Sequence, residues 1–245
     1  MKTLLLLSLG FALTTSCGLA QDQALLAAER SRGVMTGNTG VQWMVNVKTT
    51  GSESKTASFS AISQNGKIFA EVKTPAEAEG RKYLAESGGK MWFYKPGLSR
   101  PVSVSKRQRL SGDAAIGDIA STSFVDGYKV AGQTEGDVNG EAATVYSLKA
   151  NSLGDTYAEI KYWVTKSGNL GKKAEFYTRG GKLLRTSSME YNNTANGGPF
   201  LSRMVIKDSG RTIDLKFSDV KIGSYPATLF DRENLGGGKK SSKRK

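Results

Sequence analysis

Apolar and polar residues alternate with a period of two through most of this chain. Residues 41–48 read VQWMVNVK and residues 212–217 read TIDLKF, so apolar side chains recur at every second position in both segments. That period is typical of a β-strand with one apolar face. Asn65-Gly66 is a strong hairpin signal between two such segments. Repetition of this pattern predicts about a dozen strands in an antiparallel sheet that curls on itself.

The N-terminus has the layout of a secretory signal peptide. Lys2 supplies a basic start, and the apolar run Leu4–Leu13 is too short to span a bilayer comfortably. The small-x-small residues 18–20 favour cleavage before Gln21, whereas the alternative is a lipoprotein signal with Thr14–Cys17 as its lipobox. Both interpretations predict export, and no later segment is apolar enough for a transmembrane helix.

Three segments depart from the strand pattern. Gln21–Arg32 predicts an amphipathic helix that ends at Gly33. Leu110–Phe124 lacks alternation and predicts a non-strand insert with a short helix over one end or face of the sheet. Ala227–Leu235 predicts a short closing helix or coil. The predicted organisation is therefore a signal peptide (1–20), one domain (21–235) and a disordered basic tail (236–245).

Charge and composition narrow the classes of function. The formal net charge is +13; six basic residues lie in the leader and the tail, which leaves 13 − 6 = +7 for the remainder. That bias favours acidic surfaces without indicating nucleic acid, and no nucleic-acid-binding motif is present. The chain has no His, and its single Cys, Cys17, lies in the leader. Histidine-based catalysis and the common zinc sites are thereby excluded, and we expect no enzyme activity, metal or cofactor.

Lys90–Arg109 is the most unusual stretch of the sequence. It opens with the densest aromatic run of the chain, Met91–Tyr94, and is then broken by Pro96 and Gly97. From residue 87 to residue 112 there are six basic residues and no acidic residue. This composition fits ordinary sheet core beside a solvated rim. It also fits the mouth of an apolar pocket whose rim faces an acidic headgroup or partner.

An aromatic-x-Tyr-x-Pro-x-x-x-Arg pattern lies within that stretch and is formed by Trp92, Tyr94, Pro96 and Arg100. The chain resembles the LolA-like outer-membrane lipoprotein-sorting family in this pattern, in its exported leader and in the order of its elements. The segments that carry the resemblance are Gly80–Arg109, Leu110–Ala120 and Leu229–Leu235.

The resemblance implies a mainly β fold: an incomplete, half-open antiparallel β-barrel of about 11–13 strands, with an N-terminal helix and short lid helices, one of them in Leu110–Phe124. It also implies a periplasmic carrier or acceptor that shelters acyl chains of lipoproteins or lipids for transfer to the outer membrane. Envelope membrane proteins would load or unload the cargo. The protein would be an outer-membrane lipoprotein instead if Cys17 is lipidated.

Candidate site residues follow from the same resemblance. For any single residue, plain core packing or a solvated surface is the alternative interpretation. The predicted lipid-binding residues are Trp43, Phe59, Phe69, Trp92 and Tyr94, and the predicted headgroup or partner rim is Arg100, Lys106, Arg107 and Arg109.

Two rival functions remain open. The first is an envelope sensor or scaffold with the same half-barrel, a filled core and no cavity. The second is an envelope hydrolase that uses carboxylates, which the missing His and the lack of a suggestive carboxylate spacing disfavour.

Overall fold

In the residues that it describes, a computed structural model of the chain shows one large open β-sheet with a single long helix on one face. The helix predicted over Gln21–Arg32 is α1 (Cys17–Ser31). The structure describes residues 17–34, 37–51, 54–86, 90–105, 108, 123–153 and 155–236. The strands are β1 (Gly40–Thr50), β2 (Lys55–Gln64), β3 (Lys67–Thr74), β4 (Lys82–Glu86), β5 (Lys90–Tyr94), β6 (Val102–Ser103), β7 (Tyr128–Val138), β8 (Glu141–Ala150), β9 (Glu159–Thr165), β10 (Gly171–Tyr177), β11 (Leu183–Glu190), β12 (Asn193–Ala195), β13 (Gly198–Phe200), β14 (Arg203–Lys207) and β15 (Thr212–Gly223).

Thirteen strands form the main sheet in the order β6-β5-β4-β3-β2-β1-β15-β14-β11-β10-β9-β8-β7, and β12 and β13 form a separate hairpin. Every pairing between the described strands of the sheet is antiparallel. The sheet does not close, since β6 and β7 end it without pairing to each other. The predicted half-open antiparallel barrel with an N-terminal helix is therefore confirmed.

The predicted hairpin at Asn65-Gly66 is also confirmed. Gln64 pairs with Lys67, so the two residues between them form a two-residue loop that joins β2 to β3. Asn65 and Gly66 both have positive φ, 52° and 71°. A two-residue loop with that geometry matches the right-handed twist of the flanking strands, which explains why Asn-Gly is favoured there.

The face of the sheet that α1 covers, called the inner face here, carries most of the core. The alternation predicted for β1 holds, because its four apolar residues at positions 41, 43, 45 and 47 are all buried. Helix α1 packs against β9, β10 and β13. Phe124, Phe176 and Phe200 fill the space below it and are each 0% exposed.

A buried ion pair secures the C-terminal end of α1. Arg32 donates from Nε and Nη2 to the two carboxylate oxygens of Glu29, at 2.9 and 2.7 Å. Glu29 also accepts a hydrogen bond from the backbone N–H of Phe124 at 2.7 Å, and the Arg32 guanidinium lies 4.0 Å from the centre of the Phe124 ring. Burial opposes the charge of Arg32, but the Glu29 carboxylate outweighs it and raises the Arg32 pKa above its usual value.

The C-terminal segment packs on the opposite, outer face. The predicted closing element consists of two 3₁₀-helices, Ala227–Phe230 and Arg232–Asn234. Phe230 and Leu235 are buried against Phe69 and Leu84 in a second apolar cluster. Residues 237–245 of the predicted tail lie outside the described residues. Within the described ranges, no helix combines the length and apolar composition needed to cross a bilayer.

Candidate functional site

The five aromatic residues predicted to bind lipid lie on two different faces of the sheet. Directly paired residues of an antiparallel sheet point to the same face, and successive residues of a strand point to opposite faces. Phe59 pairs with Val45 of β1, which shares its face with Trp43, so both aromatic residues are on the inner face. The other three are on the outer face, through the pairs Ile62–Phe69, Phe69–Leu84, Leu84–Trp92 and Lys82–Tyr94.

Trp43 and Phe69 are core residues on their respective faces. Trp43 is 3% exposed, and its ring lies 5.6 Å from that of Phe200. Phe69 is 8% exposed and belongs to the outer-face cluster beneath the C-terminal segment. Each side chain therefore packs in the apolar core on its own face of the sheet.

Phe59 lines a cavity of about 440 Å³ on the part of the inner face beyond α1. We call this cavity the inner groove. Its apolar lining includes Val47, Phe59, Val72 and Tyr83. The ring of Tyr83 packs on that of Phe93, with 5.1 Å between centroids, and extends the aromatic surface to β5. Phe59, Tyr83 and Phe93 are all half-buried.

Charged groups surround one end of the inner groove. Lys55, Glu77 and Arg81 are among its lining residues, together with Pro75 and the first 3₁₀-helix, Ala76–Ala78. Arg81 donates from Nη2 to the backbone carbonyl of Glu77 at 3.2 Å, which holds the guanidinium at the wall. An apolar lining with two cationic side chains suits a molecule that has an acyl chain and an anionic head.

Trp92 and Tyr94 line a second and larger cavity of about 780 Å³, called the edge pocket here. It lies at the β6 end of the sheet, between the outer face of β5, residues 98–103 and the C-terminal segment. Trp92 donates from Nε1 to Glu86 at 2.7 Å, and the Arg232 guanidinium lies 4.7 Å from the Trp92 ring centre. The first contact joins β5 to the end of β4, and the second joins β5 to the C-terminal segment.

Of the predicted basic rim, the structure places Arg100 in the wall of the edge pocket. Lys106, Arg107 and Arg109 lie outside the described residues, as does nearly all of the predicted lid. Its last residue, Phe124, is described and packs edge-on against Tyr162 and Phe176 in the core, with centroid distances of 5.0 and 5.5 Å. Among the described residues, no group of His, Cys, Asp and Glu side chains is arranged to hold a metal ion.

The comparisons with known proteins identify the family. A family model described as an uncharacterized protein matches residues 64–236. The crystal structure of a LolA superfamily protein from Nitrosomonas europaea superposes with a TM-score of 0.72 at 27% identity, covering 86% of this chain and 98% of that one. This chain belongs to the LolA-like family.

Two further crystal structures share the LolA-like fold. One is described as an outer membrane lipoprotein-sorting protein domain from Vibrio parahaemolyticus, with a TM-score of 0.70, 20% identity and coverage of 88% of this chain and 99% of that one. The other is a DUF1329 family protein from Desulfovibrio piger, with a TM-score of 0.68, 20% identity and coverage of 87% and 98%. No curated protein matches the sequence significantly.

Two aromatic residues of the inner face were absent from the predicted set: Tyr83, which lines the inner groove, and Phe93, which packs on Tyr83. Tyr83 lies on the same face as Phe59, as the pairs Ala61–Ala70 and Ala70–Tyr83 show. Phe93 pairs with Tyr83 and therefore shares that face. The signal was present in the sequence, because Phe93 must point away from the face that Trp92 and Tyr94 share. The sequence does not show which face of β5 corresponds to the inner face of β2, because that depends on the register across three hairpins.

Proposed function

We propose that this LolA-like protein is an exported, non-catalytic carrier or acceptor that shelters acyl chains of lipoproteins or lipids in the inner groove. The single observation that carries the proposal is the uneven cover of the inner face. Below α1 the face is filled by fully buried aromatic rings, whereas Phe59 and Tyr83 are half-buried and line a cavity of about 440 Å³. The family and the shared fold support the same function.

The energetics favour an apolar groove of this kind. Burying a methylene gains about 0.8 kcal/mol, so a sixteen-carbon chain gains on the order of 12 kcal/mol gross on leaving water. Ligand cavities typically have volumes of about 300–1,000 Å³, and the inner groove lies within that range at 440 Å³. A carrier must also release its cargo. The contact between Tyr83 and Phe93 lets the empty groove cover part of its own apolar surface.

The proposed roles of the residues follow the two faces. Phe59 and Tyr83 contact the acyl chain, and Lys55 and Arg81 face the anionic head. Phe93 supports the ring of Tyr83. Trp43 and Phe69 support the sheet from the core, and Trp92 and Tyr94 belong to the edge pocket. Arg100, Lys106, Arg107 and Arg109 remain proposed as the rim that meets a headgroup or an envelope partner.

We place this function in the periplasm, with loading and unloading by envelope membrane proteins. If Cys17 is lipidated, the same domain acts as an acceptor anchored in the outer membrane. The predicted leader and the family support this location.

A sensor or scaffold function is the alternative, and one observation favours it. Phe124, Phe176 and Phe200 fill the inner face beneath α1, so that half of the barrel has a solid core. A sensor would use the sheet as a binding surface without taking up an acyl chain. Recovery of bound lipid therefore separates the two functions.

The decisive experiment measures acyl-chain binding by the mature protein purified from the periplasm of an expression host. Native mass spectrometry with lipid extraction should recover a stoichiometric acyl-bearing ligand, and a fluorescent fatty acid should bind to the delipidated protein. A ligand-free mass together with no uptake of the fatty acid would reject the carrier and favour the scaffold.

Phe59→Asp should weaken binding of the fluorescent fatty acid by at least about tenfold, because a carboxylate in the groove loses hydration when an acyl chain covers it. Stability should fall much less than binding, since Phe59 is only half-buried. Val130→Asp is the matched control. It puts the same charge at a 37% exposed strand position on β7, and fatty-acid affinity should be unchanged. Equal losses of affinity in both variants would remove Phe59 from the site.

A further inference from the structure

The inner groove is closed at one end by the filled core. Phe59 is the last residue of β2 that lines the groove in that direction. Ala61 follows on the same face, is 5% exposed and pairs with Trp43. The ring of Trp43 packs on Phe200, which is 0% exposed. The described inner face is therefore filled from Trp43 onwards, and an occupant of the groove cannot extend beneath α1.

The other end of the groove carries its charged residues. Lys55 begins β2 and stands four residues before Phe59, which corresponds to about 13 Å along the strand. Arg81 lines the same cavity and is held there by its bond to the Glu77 carbonyl. A guanidinium has five N–H donors, so this bond leaves others for a carboxylate or a phosphate. The groove thus has one closed apolar end and one end that suits a polar head.

The volume of the groove corresponds to a single acyl chain. A methylene group takes up about the same volume as a water molecule, about 30 Å³. At about 440 Å³, the groove has room for about fifteen such groups. Two chains of that length would need about 900 Å³. The edge pocket cannot supply the missing volume, because Trp92 and Tyr94 place it on the opposite face of β5.

We propose that the inner groove binds one acyl chain at a time, so that its ligands are single-chain amphiphiles with an anionic head, either a free fatty acid or a lysophospholipid. Single-chain selectivity rests on the proposed carrier function and narrows its cargo. The chain lies along Phe59 and Tyr83 with its methyl end towards Trp43, and the head lies at Lys55 and Arg81. A lipid with two chains would leave one of them in water, which is unfavourable for an apolar surface.

Native mass spectrometry of the mature, periplasm-purified and delipidated protein tests this capacity. Palmitate delivered from cyclodextrin should saturate the protein at one molecule per chain. Lysophosphatidylglycerol and phosphatidylglycerol with palmitoyl chains form a matched pair, since they share a head and differ by one chain. Displacement of the fluorescent fatty acid should need at least about tenfold more of the two-chain lipid. Comparison of palmitate with lysophosphatidylglycerol then shows whether the carboxylate or the phosphate head is preferred.

Ala57→Phe tests whether the volume of the groove selects the chain. Ala57 lines the groove, and the added ring occupies the space of several methylene groups. The preferred fatty acid should therefore become shorter by at least about four carbons. Binding of the shorter chain also shows that the variant is folded. Ala142→Phe is the matched control, because Ala142 is exposed on β8, and its preferred chain length should be unchanged.

The possible failures are distinguishable. Two palmitate molecules bound at saturation, or equal displacement by the one-chain and two-chain lipids, would overturn single-chain selectivity and leave the carrier function standing. The same holds if Ala57→Phe keeps the original chain-length preference. Absence of uptake of every acyl ligand would reject the carrier function and single-chain selectivity together.

Discussion

Glu29→Ala is expected to lower the free energy of unfolding by about 3–5 kcal/mol. The substitution leaves the Arg32 guanidinium, whose side chain is 0% exposed, without its carboxylate. It also removes the acceptor of the Phe124 backbone N–H, which is likewise buried. A buried charge that loses its partner carries the full cost of desolvation, and a buried donor that loses its acceptor adds to it. Urea unfolding followed by Trp fluorescence measures the effect.

The double variant Glu29→Leu with Arg32→Met tests whether that loss comes from the uncompensated charge. Both charges are then absent, and apolar side chains of similar length occupy the space, an exchange that is often neutral or stabilising. We expect the double variant to recover most of the stability lost in Glu29→Ala. If the double variant were as unstable as the single one, the contribution of the pair would lie in its geometry and not in its charge.

The same pair shows which features of α1 the sequence predicts and which it does not. Glu29 and Arg32 stand three residues apart on a helical segment, and by residue type they are typical of a solvated helix face. The helix itself was predictable from its formers and from Gly33. Its burial was not, because the third partner of the pair is a backbone amide 95 residues away in sequence. A long-range contact of that kind produces no periodic pattern in the amino-acid sequence.

The candidate site shows a similar division. The alternating pattern predicted the strands, the Asn65-Gly66 turn predicted one hairpin, and the family resemblance predicted the half-open barrel. Phe59 and Trp92 were nevertheless placed in one lining although they lie on opposite faces. Period-two patterns assign faces within a strand, whereas relating two strands requires the register, and a shift of one residue reverses the face. The β2–β3 pair contains such a shift between Ser58 and Phe59.

The sequence pattern also did not predict that residues 227–235 pack on the outer face of the sheet. Gln64 secures its start, donating to the Tyr225 carbonyl at 3.0 Å and accepting from the Tyr225 N–H at 2.8 Å. Gln64 is 6% exposed, although its residue type usually faces solvent. The segment explains why Phe69 and Leu84 are buried on the outer face.

Gly171→Ala is expected to be the second strongly destabilising substitution, with a loss of about 3 kcal/mol or more. Gly171 begins β10, and an added Cβ would overlap the hydroxyl and the ring of Tyr162. Tyr162 is 0% exposed and packs edge-on against Phe124, so its ring has no free space to move into. The backbone at Gly171 is equally constrained, because its carbonyl accepts a hydrogen bond from the Tyr191 hydroxyl at 2.7 Å.

Gly132→Ala is the matched control for the loss of a strand glycine. Gly132 lies in β7, and a Cβ there would meet nothing within 4 Å. The free energy of unfolding of the Gly132→Ala variant should differ from that of the original protein by no more than about 0.5 kcal/mol. The clash can be isolated by adding Gly171→Ala to a Tyr162→Val background, where the space above Gly171 is open. The added cost should then shrink by at least about 1 kcal/mol, since residues in contact are not additive. Equal costs in the two backgrounds would show that the glycine is needed for its backbone and not for the close approach of Tyr162.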